Sequence, residues 1–156
     1  MSAQQLASLL SREVDCLQAL LSILNTEHNA LLSGDVEAIE QITTKKNQAL
    51  ANQANTSLAR QQFARQLTGS DSEQSLRDYI TTASNRPELE ACHASLLALA
   101  KQCQDENRIN GRLITQKQQQ AQGALNILRQ TDNNPTTYSG HGDTSSQQSG
   151  RTLGKA

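Results

Sequence analysis

Residues 87–131 read PELEACHASLLALAKQCQDENRINGRLITQKQQQAQGALNILRQT, and this stretch decides the fold. After its first residue it contains no proline, and it contains only two glycines. Apolar positions advance along it by three or four residues, the spacing that places side chains on one face of an α-helix. We call the positions on this face the seam of the helix. They are Leu89, Cys92, Leu96, Leu99, Cys103, Asn107, Asn110, Ile114, Lys117, Ala121, Ala124 and Leu128. So long a helix requires a long partner packed along it.

Two further helices are predicted earlier in the chain, at residues 3–32 and 36–67. Leucines at spacings of three and four form the stripe of the first helix. Gly34 is suited to end it in a left-handed conformation, and Asp35 is a good N-cap for the second helix. Because the turn between them is short, the two helices are expected to lie antiparallel.

A short helix is predicted at residues 72–83, before the long helix at 87–131. Ser70 and Glu73 have the spacing of a capping box at its start. Pro87 is well suited to the first turn of the long helix.

Together these elements predict an all-α fold, a long antiparallel, coiled-coil-like bundle of three long helices and one short helix. Residues 1–131 are expected to form the bundle. Residues 132–156 hold four glycines and few apolar side chains. Burial there offsets too little of the entropy of ordering the chain, so a flexible, disordered tail is predicted.

The composition excludes several classes of protein. Aromatic residues make up 2% of the chain, which disfavours β architectures and base-stacking surfaces for nucleic acid. The net charge of −1 indicates neither a nucleic-acid partner nor a membrane surface. The sequence contains no metal-ligand spacing, catalytic motif, signal peptide or membrane span. We therefore expect a cytoplasmic protein that is not an enzyme, has no cofactor and does not insert into membranes.

Charge is unevenly distributed between the first two helices. Residues 1–40 hold six acidic side chains and one basic side chain, whereas residues 41–70 hold four basic side chains and no acidic one. One interpretation is that two neighbouring helices attract each other. The other is that each helix has an independently solvated charged face.

Polar residues interrupt the seam of the long helix at Asn107, Asn110 and Lys117. A buried asparagine fixes the pairing of helices at some cost in stability. Alternatively, the helix leaves its own bundle near this point. Gly111 fits either interpretation, since it removes a side chain where another backbone could approach closely.

Beyond Gly111 the long helix carries an apolar patch, expected to lie past the ends of the first two helices. Such a patch is usually an interface, although a stagger of the helices would also cover it. Its members are Leu113, Ile114, Ala121, Ala124, Leu125, Ile127 and Leu128.

The run CQDENRINGRLI, residues 103–114, resembles the Asn-x-x-Asn-Gly signature of FlgN-type flagellar export chaperones. The signature residues are Asn107, Asn110 and Gly111. Similar context is found in the turn at 31–35, in the lysine pair 45–46 and in the tail at 137–140. The resemblance spans nearly the whole chain.

The resemblance implies a cytosolic chaperone that binds the C-terminal segments of the hook-associated proteins FlgK and FlgL. Such a chaperone prevents premature assembly and delivers its clients to the export gate, whose docking component is FlhA. It uses no cofactor. An amphipathic client helix would lie along Leu113, Ile114, Ala121, Ala124, Leu125 and Leu128.

Two alternatives accompany this prediction. Tyr138 suits docking to the export gate, because tyrosine combines an apolar ring with a polar end, but it could instead fold back onto the bundle. The chain could also be a self-assembling structural coiled coil with no secretion client. In that case a second copy would complete the seam, and the protein would have the mass of a dimer.

Overall fold

The computed structural model describes residues 2–133, which form four α-helices and no strand. The predicted all-α class, with three long helices and one short helix, is confirmed. The chain divides into two compact units, Met1–Gln119 and Gln120–Ala156. The helices are α1 (Ser2–Ser33), α2 (Val36–Thr68), α3 (Glu73–Thr82) and α4 (Arg86–Asp132).

Local side-chain chemistry sets the turn between α1 and α2. Gly34 has a φ of 71°, the left-handed conformation that glycine adopts without strain. Asp35 follows as the N-cap of α2, and its carboxylate accepts a hydrogen bond of 3.1 Å from the backbone amide of Ala38. These two residues end one helix and begin the next.

The capping of α3 differs from the prediction. Its N-cap is Ser72, whose hydroxyl accepts a hydrogen bond from the amide of Gln74 at 3.2 Å. Ser70 instead accepts the amide of Ser72, and the side chain of Glu73 contacts His93 on α4. The expected capping box between Ser70 and Glu73 is therefore wrong, because Glu73 pairs across helices.

The core of the first unit is built on α1, which supplies about half of its buried apolar residues. Burying a leucine side chain fully contributes about 1.5–3 kcal/mol. The short helix α3 adds two residues on the same spacing that α1 uses. The core consists of Leu6, Ala7, Leu10, Leu17, Leu20 and Leu24 of α1, Ala64 of α2, Leu76 and Ile80 of α3, and Leu89, Leu96 and Cys103 of α4.

Two ion pairs define the register of α1 against α2. Glu13 pairs with Arg60, and Glu27 pairs with Lys46. The acids are two heptads apart on α1, and their partners are two heptads apart on α2 in the reverse order. The two helices are therefore antiparallel, as predicted from the short turn.

Two hydrogen bonds define the register of α1 against α4. The thiol of Cys103 donates to the carbonyl of Leu17 at 3.4 Å, and the amide of Asn110 donates to the carbonyl of Leu24 at 2.9 Å. Each donor follows its acceptor by 86 residues, so within this unit α4 runs parallel to α1. The helix α1 thus contacts α2 on one side and α4 on another.

The predicted tail, residues 132–156, lies outside the described residues from 134 onward. The boundary predicted near residue 131 for the bundle therefore stays a prediction.

Candidate functional site

The described end of α4 carries a group of exposed apolar side chains. Leu125 is 49% exposed, Ile127 is 64% exposed and Leu128 is 61% exposed. Ala121 and Ala124 are exposed as well. The positions 121, 124, 125 and 128 share one face of a helix by their spacing, and Ile127 adjoins that face. We call Leu125, Ile127 and Leu128 the α4 terminal patch.

The other two residues predicted for the apolar surface have a different environment. Leu113 and Ile114 belong to the first compact unit and are half-buried there, whereas the other four belong to the second. Lys117, also predicted in the seam, is half-buried. That the six residues bind one partner stays a prediction.

Asn110 is fully buried and links α4 to α1. Its Nδ2 donates to the carbonyl of Leu24 at 2.9 Å and to Oε2 of Glu27 at 2.8 Å. Its Oδ1 lies 3.0 Å from Nδ1 of His28. A buried amide with every polar atom paired fixes the relative position of two helices. The structure therefore favours the interpretation that Asn110 fixes the pairing of the helices.

Glu27 connects that asparagine to α2. Lys46 Nζ donates to its two carboxylate oxygens at 3.0 and 2.9 Å. The Glu27 side chain is only 4% exposed, and the Lys46 side chain is 15% exposed. A carboxylate so buried requires several donors, and here they come from two different helices. We call Asn110, Glu27, Lys46 and His28 the polar junction.

The second ion pair of the hairpin is buried too. Nε of Arg60 donates to Oε2 of Glu13, and their side chains are 10% and 2% exposed. Of the two interpretations of the uneven charge, attraction between neighbouring helices is therefore correct for these pairs. Sequence reasoning missed that the acids face inward. The sequence does contain a signal for this pairing. The two acids on α1 are separated by the same number of residues as the two bases on α2.

The other two signature residues are on the surface. Asn107 is exposed, and so is Gly111. A Cβ built on Gly111 would have no neighbour within 4 Å among the described residues. No backbone of the described residues therefore approaches Gly111 closely, and the approach of a partner's backbone there stays a prediction. Tyr138, predicted to dock to the export gate, lies outside the described residues.

The titratable groups of residues 2–133 form no obvious reactive site. His93 is buried and contacts Glu73, which joins α4 to α3. Burial raises the pKa of the Cys103 thiol, which holds it in the protonated, donating form. Within this range, no group of three His, Cys, Asp or Glu residues could hold a metal ion. Among residues 2–133, no helix combines the length and the apolar character that crossing a membrane requires.

A family model described as "FlgN protein" matches residues 1–146. No curated protein and no solved structure matches the chain. The matched range includes the whole of the four helices and the signature residues Asn107, Asn110 and Gly111.

Proposed function

The chain belongs to the FlgN family of flagellar export chaperones, and from this premise we propose that it binds the C-terminal segments of FlgK and FlgL. In this proposal it works in the cytoplasm and keeps these hook-associated proteins from assembling early. It then delivers them to the export gate through FlhA. The family is not one of enzymes, and the proposed activity is binding and release.

The observation that carries the proposal is the α4 terminal patch. Exposed leucines scattered singly on a surface need no explanation. Leu125 and Leu128 are instead about one turn apart on the same face of α4, and both are exposed, an arrangement that is common at interaction surfaces. An amphipathic helix can bury its apolar face against such a surface. The proposed client-binding residues are Leu113, Ile114, Ala121, Ala124, Leu125 and Leu128.

Binding of this kind suits a protein that must also release its client. A client segment that becomes ordered on binding loses conformational entropy, which lowers the affinity for a given buried area. In the proposal the free energy that remains is enough for capture but leaves the complex reversible. Docking of Tyr138 to FlhA would then bring the loaded chaperone to the gate.

The test is titration calorimetry of the full chain against peptides from the C-terminal segments of FlgK and FlgL. We expect saturable binding with a negative heat-capacity change, the signature of apolar burial. Replacing Leu125 and Leu128 together by glutamate should weaken binding at least about tenfold, which corresponds to about 1.4 kcal/mol. The matched control is Leu97→Glu, which changes another exposed leucine of α4, 41% exposed.

Two outcomes contradict the proposal. One is the absence of binding by the folded wild-type chain at high micromolar peptide. The other is an equal loss of affinity in the control and in the patch variant. A structural coiled coil without a client predicts the first outcome together with the mass of a dimer, which light scattering measures on the same sample.

A further inference from the structure

The last part of α4, residues 120–132, is helical without any buried side chain. Every described residue from Gln118 onward is exposed to solvent. The side-chain hydrogen bonds of this part stay within the helix. Gln122 donates to Asn126 at 3.1 Å, and the hydroxyl of Thr131 donates to backbone carbonyls of the preceding turn. We call residues 120–132 the α4 end. Its helix is stabilised only by backbone hydrogen bonds and by the intrinsic preferences of its residues.

The earlier part of α4 is held by contacts with other helices. Cys103 and Asn110 donate hydrogen bonds to α1, and His93 is buried against Glu73 of α3. Most of the stability of helices in proteins comes from packing of this kind, and isolated helices shorter than about 12–15 residues are marginal in water. The α4 end is a segment of about this length, so we expect its helix to open far more often than the packed part does.

Gly123, near the middle of the first half of the α4 end, weakens this helix further. Glycine is less favourable than alanine inside a helix, because it gains more conformational freedom when the helix opens. A Cβ built on Gly123 would have no neighbour within 4 Å among the described residues. Alanine would therefore fit at this position and would make the helix more stable.

The direction of Gly123 separates it from the proposed client-binding residues. Successive residues of a helix are rotated by about 100°, so Gly123 lies about 160° from Ala121 on one side and from Leu125 on the other. A client helix that packs along Ala121, Leu125 and Leu128 would lie on the opposite side of α4. A substitution at position 123 can then change client affinity only through the order of the helix.

We propose that the α4 end is only partly helical in the free chaperone, that client binding completes the helix, and that Gly123 sets the fraction that is helical beforehand. This inference rests on the proposed function and adds a residue that determines affinity without touching the client. The apparent dissociation constant equals the intrinsic one divided by the fraction of molecules that can bind. A helix that must be ordered on binding therefore lowers the affinity, which favours the release of the client.

The first measurement is the calorimetric affinity of the client peptides for single variants of the full chain. Gly123→Ala should bind about two- to fivefold more tightly, and fivefold is the limit set by the helical preference of alanine over glycine. Gln119→Gly changes an exposed residue one turn earlier on the side of Gly123, and it should bind about two- to threefold more weakly. The controls lie at exposed positions in the packed part of α4. Ser95→Ala raises the helical preference there and Gln102→Gly lowers it, and both should bind with wild-type affinity.

The second measurement is amide hydrogen exchange, which reports the order of the α4 end without a client. In the free chain we expect these amides to be protected less than about tenfold, as in a helix that is open about a tenth of the time or more. Amides of residues 100–110 should exchange far more slowly. Saturating client peptide should slow exchange in the α4 end, and Gly123→Ala should slow it without a client. Circular dichroism checks that every variant is folded.

The outcomes that overturn this inference differ from those that overturn the proposed function. If the amides of the α4 end are as protected in the free chain as those of residues 100–110, the helix is already complete and the inference fails. Unchanged or weaker binding by Gly123→Ala, or an equal gain in affinity for Ser95→Ala, also overturns the inference and leaves the proposed function standing. If the folded wild-type chain binds no client peptide, the proposed function itself fails, whatever the exchange rates are.

Discussion

Replacing Lys46 by methionine tests whether the polar junction holds the hairpin together. The substitution keeps the length and apolar stem of the side chain but removes the ammonium group. Glu27 then loses the donor that contacts both of its carboxylate oxygens, and only Asn110 remains, at 2.8 Å from Oε2. The carboxylate stays almost completely shielded from water, at 4% exposure.

The expected loss of stability follows from the buried Glu27 carboxylate, whose charge Lys46 no longer balances in the variant. Breaking a buried ion pair by removing one partner costs about 3–5 kcal/mol, because the remaining charge is uncompensated. Lys46 keeps partial contact with water and Asn110 continues to donate, so we expect the lower end, about 3 kcal/mol of unfolding free energy. The surface pair of Arg108 and Asp105, 63% and 42% exposed, is the control. Arg108→Met should cost less than about 0.5 kcal/mol.

A double variant separates the charge from the loss of packing. Replacing Glu27 by glutamine and Lys46 by methionine together removes the orphaned charge but keeps an oxygen that can accept the Asn110 bond. Neutralising a buried pair on both sides is often close to neutral. We therefore expect the double variant to regain about 2 kcal/mol relative to Lys46→Met alone.

Urea unfolding followed by circular dichroism gives the unfolding free energies of the wild type and all three variants. Two results would refute the reasoning. The first is a Lys46→Met variant as stable as Arg108→Met. The second is a double variant less stable than the single one. Either result would mean that water reaches Glu27 in solution, contrary to its burial.

Four further predictions concern other parts of the chain. Gly111→Ala should raise the unfolding free energy in urea by about 1 kcal/mol, because the site is helical and open. In contrast, Gly69→Ala should lower it by about 1 kcal/mol, because its φ of 73° is left-handed. Cys103 should be alkylated by iodoacetamide more slowly than Cys16 at pH 8, as peptide mass spectrometry can measure. Its raised pKa leaves less thiolate, and its burial limits access. Deleting residues 133–156 should leave calorimetric client binding unchanged but reduce swimming on soft agar, and a loss of binding would place the site in the tail.

The ends of the helices could be predicted from sequence because their causes are local. Gly34 and Asp35 end one helix and begin the next through their own conformation and side chain. The seam of α4 likewise follows from the spacing of its apolar residues alone. The N-cap of α3 was misplaced by two residues because three serines lie close together, and local rules do not rank them.

The inward orientation of the acids could not be predicted from one helix at a time. A glutamate in an apolar stripe is ordinarily assigned to the surface, since burying it alone is costly. The cost disappears only with a partner, and Arg60 is 47 residues from Glu13 in sequence. That Asn110 fixes the pairing of helices was one of the predicted interpretations. Its acceptors on α1 could not be predicted, because they depend on the parallel arrangement of α1 and α4 that α3 creates.

The candidate surface was predictable only in part, for a different reason. The periodicity of α4 identifies apolar positions, but their exposure depends on which other elements end before them. Leu125 and Leu128 are exposed, whereas Leu113 and Ile114, earlier on the same helix, are half-buried. Binding by any of these residues depends on a second molecule, which no property of this sequence specifies.

The two ion pairs of the hairpin restrict how the length of this chain can vary in evolution. One residue inserted into α2 between Lys46 and Arg60 would rotate one of the two bases by about 100° relative to the other. One buried acid would then face an apolar or neutral side chain. Substitutions on the outer faces of the hairpin carry no such penalty. Insertions and deletions among relatives should therefore accumulate in the connection at 69–72 and be rare within residues 13–27 and within residues 46–60.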